Sequence, residues 1–166
     1  MTATLDLYLI RHGLAGEFGS YADDTLRPLT TAGQHKTRQV ADRLANLGLQ
    51  FGQILTSPLL RAQQTAEILQ AAGLCQQVAT AECLATGDFD RWLNWWATWH
   101  PTATQPLALV GHEPSLSQWA ELLVWGRVNH AIRLKKAGVI GLSLPTSGSP
   151  VGQSVLFWLT PPKFLL

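Results

Sequence analysis

Residues 5–13 read Leu5-Asp6-Leu7-Tyr8-Leu9-Ile10-Arg11-His12-Gly13 and combine an apolar run with a polar end. Leu5 to Ile10 is a short run rich in residues that favour β-strands, and Arg11-His12-Gly13 interrupts it. In open α/β sheets, ligands bind beyond the carboxyl ends of the strands. The stretch therefore predicts a first strand that delivers Arg11 and His12 to a candidate site.

Beyond this stretch, segments that favour strands alternate with segments that favour helices. Strands are predicted over 53–55, 77–81 and 106–110, helices over 30–47, 59–72, 88–100 and 115–125, and a hairpin over 139–144 and 154–159. The alternation predicts an α/β fold: a three-layer sandwich with a mostly parallel central sheet, helices on both faces and a C-terminal antiparallel hairpin. We expect one domain over residues 1–166.

Composition narrows the class of protein. Of the 166 residues, 46% are apolar and 14% are charged, which favours a folded chain with a real core. The formal net charge of +1 gives no basic surplus of the kind that nucleic-acid-binding proteins use. No apolar run approaches the length of a spanning helix, and the N-terminus lacks the basic region of a signal peptide. We therefore expect a cytoplasmic protein with neither nucleic-acid nor membrane partners.

Polar side chains follow three of the predicted strands. The first strand leads to Arg11 and His12, the second leads through Ser57-Pro58 to Arg61, and the fourth leads to His112. Guanidinium groups match the oxygens of phosphate or carboxylate, so two arginines at one edge favour an anionic ligand. A histidine in that setting can be a base, a ligand or a nucleophile.

Four sequence blocks resemble the histidine phosphatase (phosphoglycerate mutase-like) superfamily. In chain order they are Leu9 to Gly13, Pro28 to Gly33, Thr56 to Ala66, and Val110 to Pro114. The short chain and the form Arg27-Pro28-Leu29-Thr30 are similar to the SixA-type phosphohistidine phosphatases within that superfamily. The resemblance implies a phosphoglycerate mutase-like fold and a phosphatase that needs no metal and no cofactor.

The resemblance also implies roles for individual residues. His12 is the nucleophile that takes the phosphoryl group, and Arg11, Arg61 and His112 bind the phosphate oxygens. Gly13 allows the backbone to approach the phosphate. No block contains the general acid of larger relatives; Glu82 and Asp88 are candidate proton donors, with a solvated carboxylate and a helix cap as the respective alternatives.

The missing acid favours one substrate class. An alkoxide leaving group needs a proton during bond cleavage, whereas a phosphoimidazole can leave as neutral imidazole. We therefore expect a phosphatase that acts on phosphohistidine of a signalling protein, such as a phosphotransfer domain. The alternatives are a phosphatase of a small phosphorylated substrate and a non-catalytic phosphate-binding or adaptor protein.

Two further patterns have open interpretations. Four tryptophans share one face of a predicted helix, where they either pack in the core or form a docking surface: Trp92, Trp95, Trp96 and Trp99. The basic run Arg133, Lys135 and Lys136 is either a solvated edge or a rim that attracts acidic substrates. Glu113 either caps the helix that follows it or tunes His112.

Overall fold

The computed structural model describes residues 3–166, and its α-helices and strands alternate as predicted. The strands are β1 (Thr4–Arg11), β2 (Gln53–Thr56), β3 (Val78–Thr80), β4 (Leu107–Gly111), β5 (Val139–Pro145) and β6 (Val155–Thr160). The helices are α1 (Thr31–Asn46), α2 (Leu60–Ala71), α3 (Cys83–Thr86), α4 (Phe89–Trp99) and α5 (Ser115–Trp125). The one-turn helix α3 has no counterpart in the sequence prediction, because four residues are too few to show a helical period.

The six strands form one sheet in the order β3-β2-β4-β1-β5-β6. The first four in that order are parallel to one another, whereas β5 runs antiparallel to β1 and β6 runs antiparallel to β5. This arrangement confirms the predicted fold class, including the C-terminal hairpin. Among residues 3–166, no helix is long and apolar enough to cross a membrane.

Two apolar layers hold the helices against the sheet. Helices α1 and α2 pack on one face through a cluster that includes Val40, Leu44 and Leu69. Helices α3, α4 and α5 pack on the other face through a cluster that includes Trp92 and Trp119. The fold is therefore a three-layer sandwich with the sheet in the middle.

The tryptophan face of α4 belongs mainly to the core. Trp92 and Trp96 are buried, and the rings of Trp95 and Trp99 stack on each other with centroids 5.3 Å apart at the margin of the same cluster. Core packing, rather than a docking surface, is therefore the interpretation that fits these four residues.

Local signals set where two of these helices begin. The hydroxyl of Thr30 accepts a hydrogen bond from the amide of Gly33, and the carboxylate of Asp88 accepts one from the amide of Arg91. Each bond satisfies an amide that the first helical turn leaves without a partner. The two helices consequently start at fixed points relative to the strand ends.

Segments from both halves of the chain lie at the edge of the sheet where the parallel strands end. The parallel strands β1, β2 and β4 end there, and because β5 is antiparallel, it begins there: Val139 pairs with Ile10 on one side and with Thr160 on the other. The segments before β5 and after β6 therefore lie at the same edge as Arg11 and His12.

The carboxylate of Glu121 organises the segment that precedes β5. It is 1% exposed and accepts hydrogen bonds from the four backbone amides of residues 129–132 at 2.5–2.8 Å. Four donors on one carboxylate satisfy backbone groups that burial would otherwise leave unpaired. This side chain thus connects α5 to a loop that continues to the sheet edge.

We expect Glu121→Gln to lower the free energy of unfolding by about 2 kcal/mol or more, because the new amide group would point its own donors at backbone donors. Urea unfolding followed by circular dichroism measures the change. The exposed Glu67→Gln on α2 is the matched control and should change stability by less than about 0.5 kcal/mol. Equal stability of the two variants would contradict this role of Glu121.

Candidate active site

His12 lies directly after β1 and is only 5% exposed. Its amide donates to the carbonyl of Gly111 at 3.0 Å, which continues the pairing of β1 with β4. Its Nδ1 lies 2.7 Å from the carbonyl oxygen of Gly13. A carbonyl oxygen only accepts, so Nδ1 carries the ring proton of the neutral imidazole and Nε2 keeps its lone pair.

The surroundings keep this imidazole neutral. Burial first, and then the neighbouring His112, Arg61 and Arg11, lower the pKa of His12 to about 3, against the opposing hydrogen bond to Gly13. The lone pair on Nε2 is consequently available at neutral pH. A neutral, oriented imidazole is the form that attacks an electrophile.

His112 faces His12 across the site. The two ring centroids are 5.1 Å apart, and Ser57 Oγ lies 2.7 Å from His112 Nε2. The same hydroxyl accepts from the amide of Leu59 and can donate its own proton to Nε2. In that tautomer, the proton of neutral His112 lies on Nδ1, which has no protein partner within residues 3–166. Burial, followed by Arg61, Arg11 and Arg27, lowers the pKa of His112 to about 4.

Backbone carbonyls hold the two predicted arginines. A terminal nitrogen of Arg61 donates to the carbonyl oxygen of Asp24 at 2.9 Å, and one of Arg11 donates to that of Leu134 at 3.0 Å. The Nε atoms of both arginines are buried and have no hydrogen-bond partner among the described residues. Arg11, Arg61 and His112 thus each present a nitrogen donor that the protein itself does not satisfy.

A third arginine, which the sequence analysis did not assign to the site, adjoins the first two. Arg27 is 9% exposed, donates to Asp24 Oδ1 at 2.7 Å and to the carbonyl of Gly16 at 2.9 Å. It lies close enough to lower the pKa of both His112 and Arg61. The sequence signal for it was the form Arg27-Pro28-Leu29-Thr30, which identified a family block but not the position of the arginine.

Asp24 joins two of these arginines. Its carboxylate contacts Arg27 Nε at 2.7 Å and Arg61 at 3.2 Å. The hydrogen bond from Arg27 is the main reason why the pKa of Asp24 is lowered, so the carboxylate stays ionised. Asp24 contacts two of the three arginines, and Glu113 acts electrostatically on Arg11, so two carboxylates face three arginines and the remaining positive charge suits an oxyanion.

The structure shows packing around Gly13 that the sequence does not reveal. Its amide does not face the site, because it donates to Thr65 Oγ1 at 3.0 Å, and that hydroxyl donates in turn to the carbonyl of Arg61 at 2.8 Å. A side chain at position 13 would collide with the hydroxyl of Thr37. Gly13 therefore permits close packing against α1 and α2 and does not donate to phosphate.

The carboxylates predicted as proton donors make no hydrogen bond to His12 or His112. Asp88 is exposed, and its side chain caps α4, which was the alternative reading. Glu82 is exposed at the start of α3. Glu113 accepts from the amide and the hydroxyl of Ser117 and so caps α5 rather than contacting His112. No carboxylic acid is held next to the two histidines by these contacts.

Known proteins and one family of phosphatases are similar to this chain in sequence. The model of the histidine phosphatase superfamily (branch 1) matches residues 7–119. An uncharacterized protein of Picosynechococcus sp. is 47% identical over 98% of this chain and 99% of its own length. The phosphohistidine phosphatase SixA of Escherichia coli is 38% identical over 63 residues, which is 38% of each chain.

A solved structure extends the likeness to the whole fold. The protein histidine phosphatase SixA complexed with tungstate superposes with a TM-score of 0.85 over 98% of this chain and 100% of that chain, at 23% sequence identity. The family model spans residues 7–119 and so includes Arg11, His12, Arg61 and His112. The chain belongs to the histidine phosphatase superfamily.

Proposed function

We propose that this protein hydrolyses phosphohistidine on a protein substrate through a covalent phospho-His12 intermediate. One observation carries the proposal: neutral His12 lies among three arginines, and among residues 3–166 no carboxylic acid is hydrogen-bonded to His12 or His112. The carboxylate nearest to the arginines, that of Asp24, has a lowered pKa and is a poor proton donor.

The leaving group determines whether a phosphatase needs a carboxylic acid in its site. Cleavage of a phosphoester produces an alkoxide, which needs a proton from a well-placed acid. The other ring nitrogen of phosphohistidine can take up a proton from solvent before the phosphorus–nitrogen bond breaks, and the imidazole then leaves as a neutral molecule. A site without a general acid is therefore suited to the second reaction.

The reaction proceeds in two displacements. The lone pair on His12 Nε2 attacks phosphorus, the phosphorus–nitrogen bond of the substrate breaks, and its electron pair returns to the departing imidazole. Water then attacks phospho-His12, the bond from phosphorus to Nε2 breaks, and phosphate leaves with one proton of the water released. Arg11, Arg61 and His112 stabilise the charge on the phosphoryl oxygens in both steps.

A second candidate is a phosphatase of a small phosphoester. A groove of about 840 Å³ adjoins the site at Arg11, and that volume lies in the range of small-molecule pockets. No carboxylate is among its lining residues, so the groove does not supply the acid that an ester requires. A non-catalytic role fits less well, since the rings of His12 and His112 face each other within the arginine cluster.

We expect His12→Ala to lower turnover by about 10⁴-fold or more, because no other lone pair replaces Nε2 as nucleophile. Release of phosphate from a phosphorylated phosphotransfer domain measures the effect. His35→Ala, at an exposed position on α1, is the control and should retain full turnover. Substantial residual activity in the His12 variant would refute the assignment of the nucleophile.

Substrate class is tested by comparing kcat/KM of the wild type for a phosphotransfer domain phosphorylated on histidine with kcat/KM for a panel of small phosphoesters. The absence of a poised acid predicts a clear preference for the phosphohistidine. A higher kcat/KM for any ester would replace the proposed function by the second candidate.

A chelator should leave turnover unchanged, because arginines rather than a cation compensate the phosphate charge in this scheme. Within the described residues, no three metal-ligating side chains lie together. The measurement is phosphate release before and after dialysis against EDTA. Lost activity that returns on adding a divalent cation would contradict the metal-independent scheme.

The neutral state of His12 also makes stability depend on pH. An unfolded histidine titrates near 6.5, whereas burial lowers the pKa of folded His12 to about 3. Between these values the unfolded chain binds a proton that the folded chain does not. The free energy of unfolding therefore falls as the pH falls, by about 2 kcal/mol at pH 5 from His12 alone.

Urea unfolding at pH 7 and pH 5 measures this loss. His12→Asn should remove most of the contribution of His12, while His112 continues to act in the same direction. His35→Asn, at an exposed site, should keep the full pH dependence of the wild type. An identical pH dependence in His12→Asn and the wild type would show that burial of His12 is not its source.

A further inference from the structure

The groove beside the site is built at the sheet edge where β5 begins and β6 ends. Its walls come from the first turns of α1, from residues 133–136 before β5, and from residues 159–163 at the end of β6. Arg11 is common to the groove and the phosphate site. A molecule that fills the groove is therefore in contact with the site that holds the phosphoryl group.

The lining of this groove carries a concentrated positive charge. Besides Arg11, five basic side chains line it: Lys36, Arg133, Lys135, Lys136 and Lys163. The lining contains no aspartate or glutamate, and both ion pairs found among residues 3–166 use Asp24 instead. The formal net charge of the whole chain is only +1, so this charge is a local feature. We call this surface the basic groove.

The electrostatic environment of the basic groove is continuous with that of the phosphate site. Lys136 is half-buried, and its pKa is lowered, first by burial and then by Arg11, Arg27 and Arg61. Bringing an anionic group into the groove relieves that repulsion. Because Arg11 lines the groove and also belongs to the site, a molecule bound in the groove is exposed to the charges of both.

Part of the lining of the basic groove is apolar. Leu14 and Leu159 are 43% and 44% exposed, and Pro161 and Pro162 also line the groove. A free inorganic anion would use the basic side chains but would leave these apolar side chains uncovered. A polypeptide surface that combines carboxylates with aliphatic side chains matches both parts.

We infer that the basic groove binds an acidic surface of the phosphoprotein, next to the phosphohistidine that enters the site. This inference rests on the function proposed above and adds to it the charge of the substrate. The sequence alone leaves the run Arg133, Lys135 and Lys136 open between a solvated edge and a rim that attracts acidic substrates. The structure adds Lys36 and Lys163, which are far away in sequence, and closes the rim into a groove.

The test compares two substrates of the wild type and of the double variant Lys36→Glu/Lys163→Glu. One substrate is a phosphotransfer domain phosphorylated on histidine, with an acidic surface around that histidine; the other is free phosphohistidine, which is too small to span the groove. We expect kcat/KM for the phosphoprotein to fall about tenfold or more, mainly through KM, while the value for free phosphohistidine changes less than about twofold.

Matched controls separate charge at the groove from charge in general. The double variant Arg43→Glu/Arg127→Glu makes the same change in net charge at exposed positions near the C-terminal ends of α1 and α5, away from the site. It should keep wild-type kcat/KM for both substrates.

The neutral variant Lys36→Gln/Lys163→Gln removes the two charges without reversing them. Its kcat/KM for the phosphoprotein should fall by about half as much, on a logarithmic scale, as that of the charge-reversed variant. Thermal unfolding checks that the variant is folded. Raising the salt concentration should lower kcat/KM for the phosphoprotein more in the wild type than in the charge-reversed variant, because salt screens the attraction that only the wild type has.

The outcomes separate this inference from the proposed function. If the wild type hydrolyses both phosphohistidine substrates but charge reversal affects them equally, or affects neither, the groove assignment is wrong and the function stands. If the wild type prefers a small phosphoester, and charge reversal raises KM for that ester, both are wrong and the groove is a small-molecule pocket.

Discussion

The hydrogen bond from His12 Nδ1 to the carbonyl of Gly13 determines what the rest of the site does. It fixes the tautomer, and with it the nitrogen that faces the substrate. The bond depends on the turn at Gly13, which Thr65 holds against α2 and which has room only for glycine beside Thr37. The packing of α1 and α2 on the sheet therefore determines the direction of the lone pair on His12 Nε2.

The arginines impose a second requirement, because three guanidinium groups in one buried site repel one another. The folded chain accepts this repulsion by placing Asp24 between Arg27 and Arg61 and by keeping both histidines neutral. The positive charge that remains in the site is neutralised only when an oxyanion binds there. Folding energy is thus used to prepare the site for the charge of a phosphoryl group before the substrate arrives.

Much of this architecture could be predicted from the sequence, because strand ends, caps and apolar periods are local signals. The convergence of Arg11, His12, Arg61 and His112 follows from parallel strands ending at one edge. Arg27 could not be placed, because its loop has no period and its position depends on Asp24 and Gly16. The helical spacing put four tryptophans on one face of α4, but it did not reveal that two of them lie only at the margin of the core.

Because β5 is antiparallel to β1, residues from the C-terminal part of the chain lie beside Arg11 and His12. The groups assigned to the chemistry lie within residues 11–112, whereas most of the basic groove comes from residues 133–163, joined to the first part through a shared sheet edge. If the groove binds substrate as inferred, substitutions in the terminal hairpin and its flanks would alter which molecules dock while leaving His12 in place. Most of the groove lining and the proposed catalytic residues thus lie in different stretches of chain, so the first could diversify while the second is held constant.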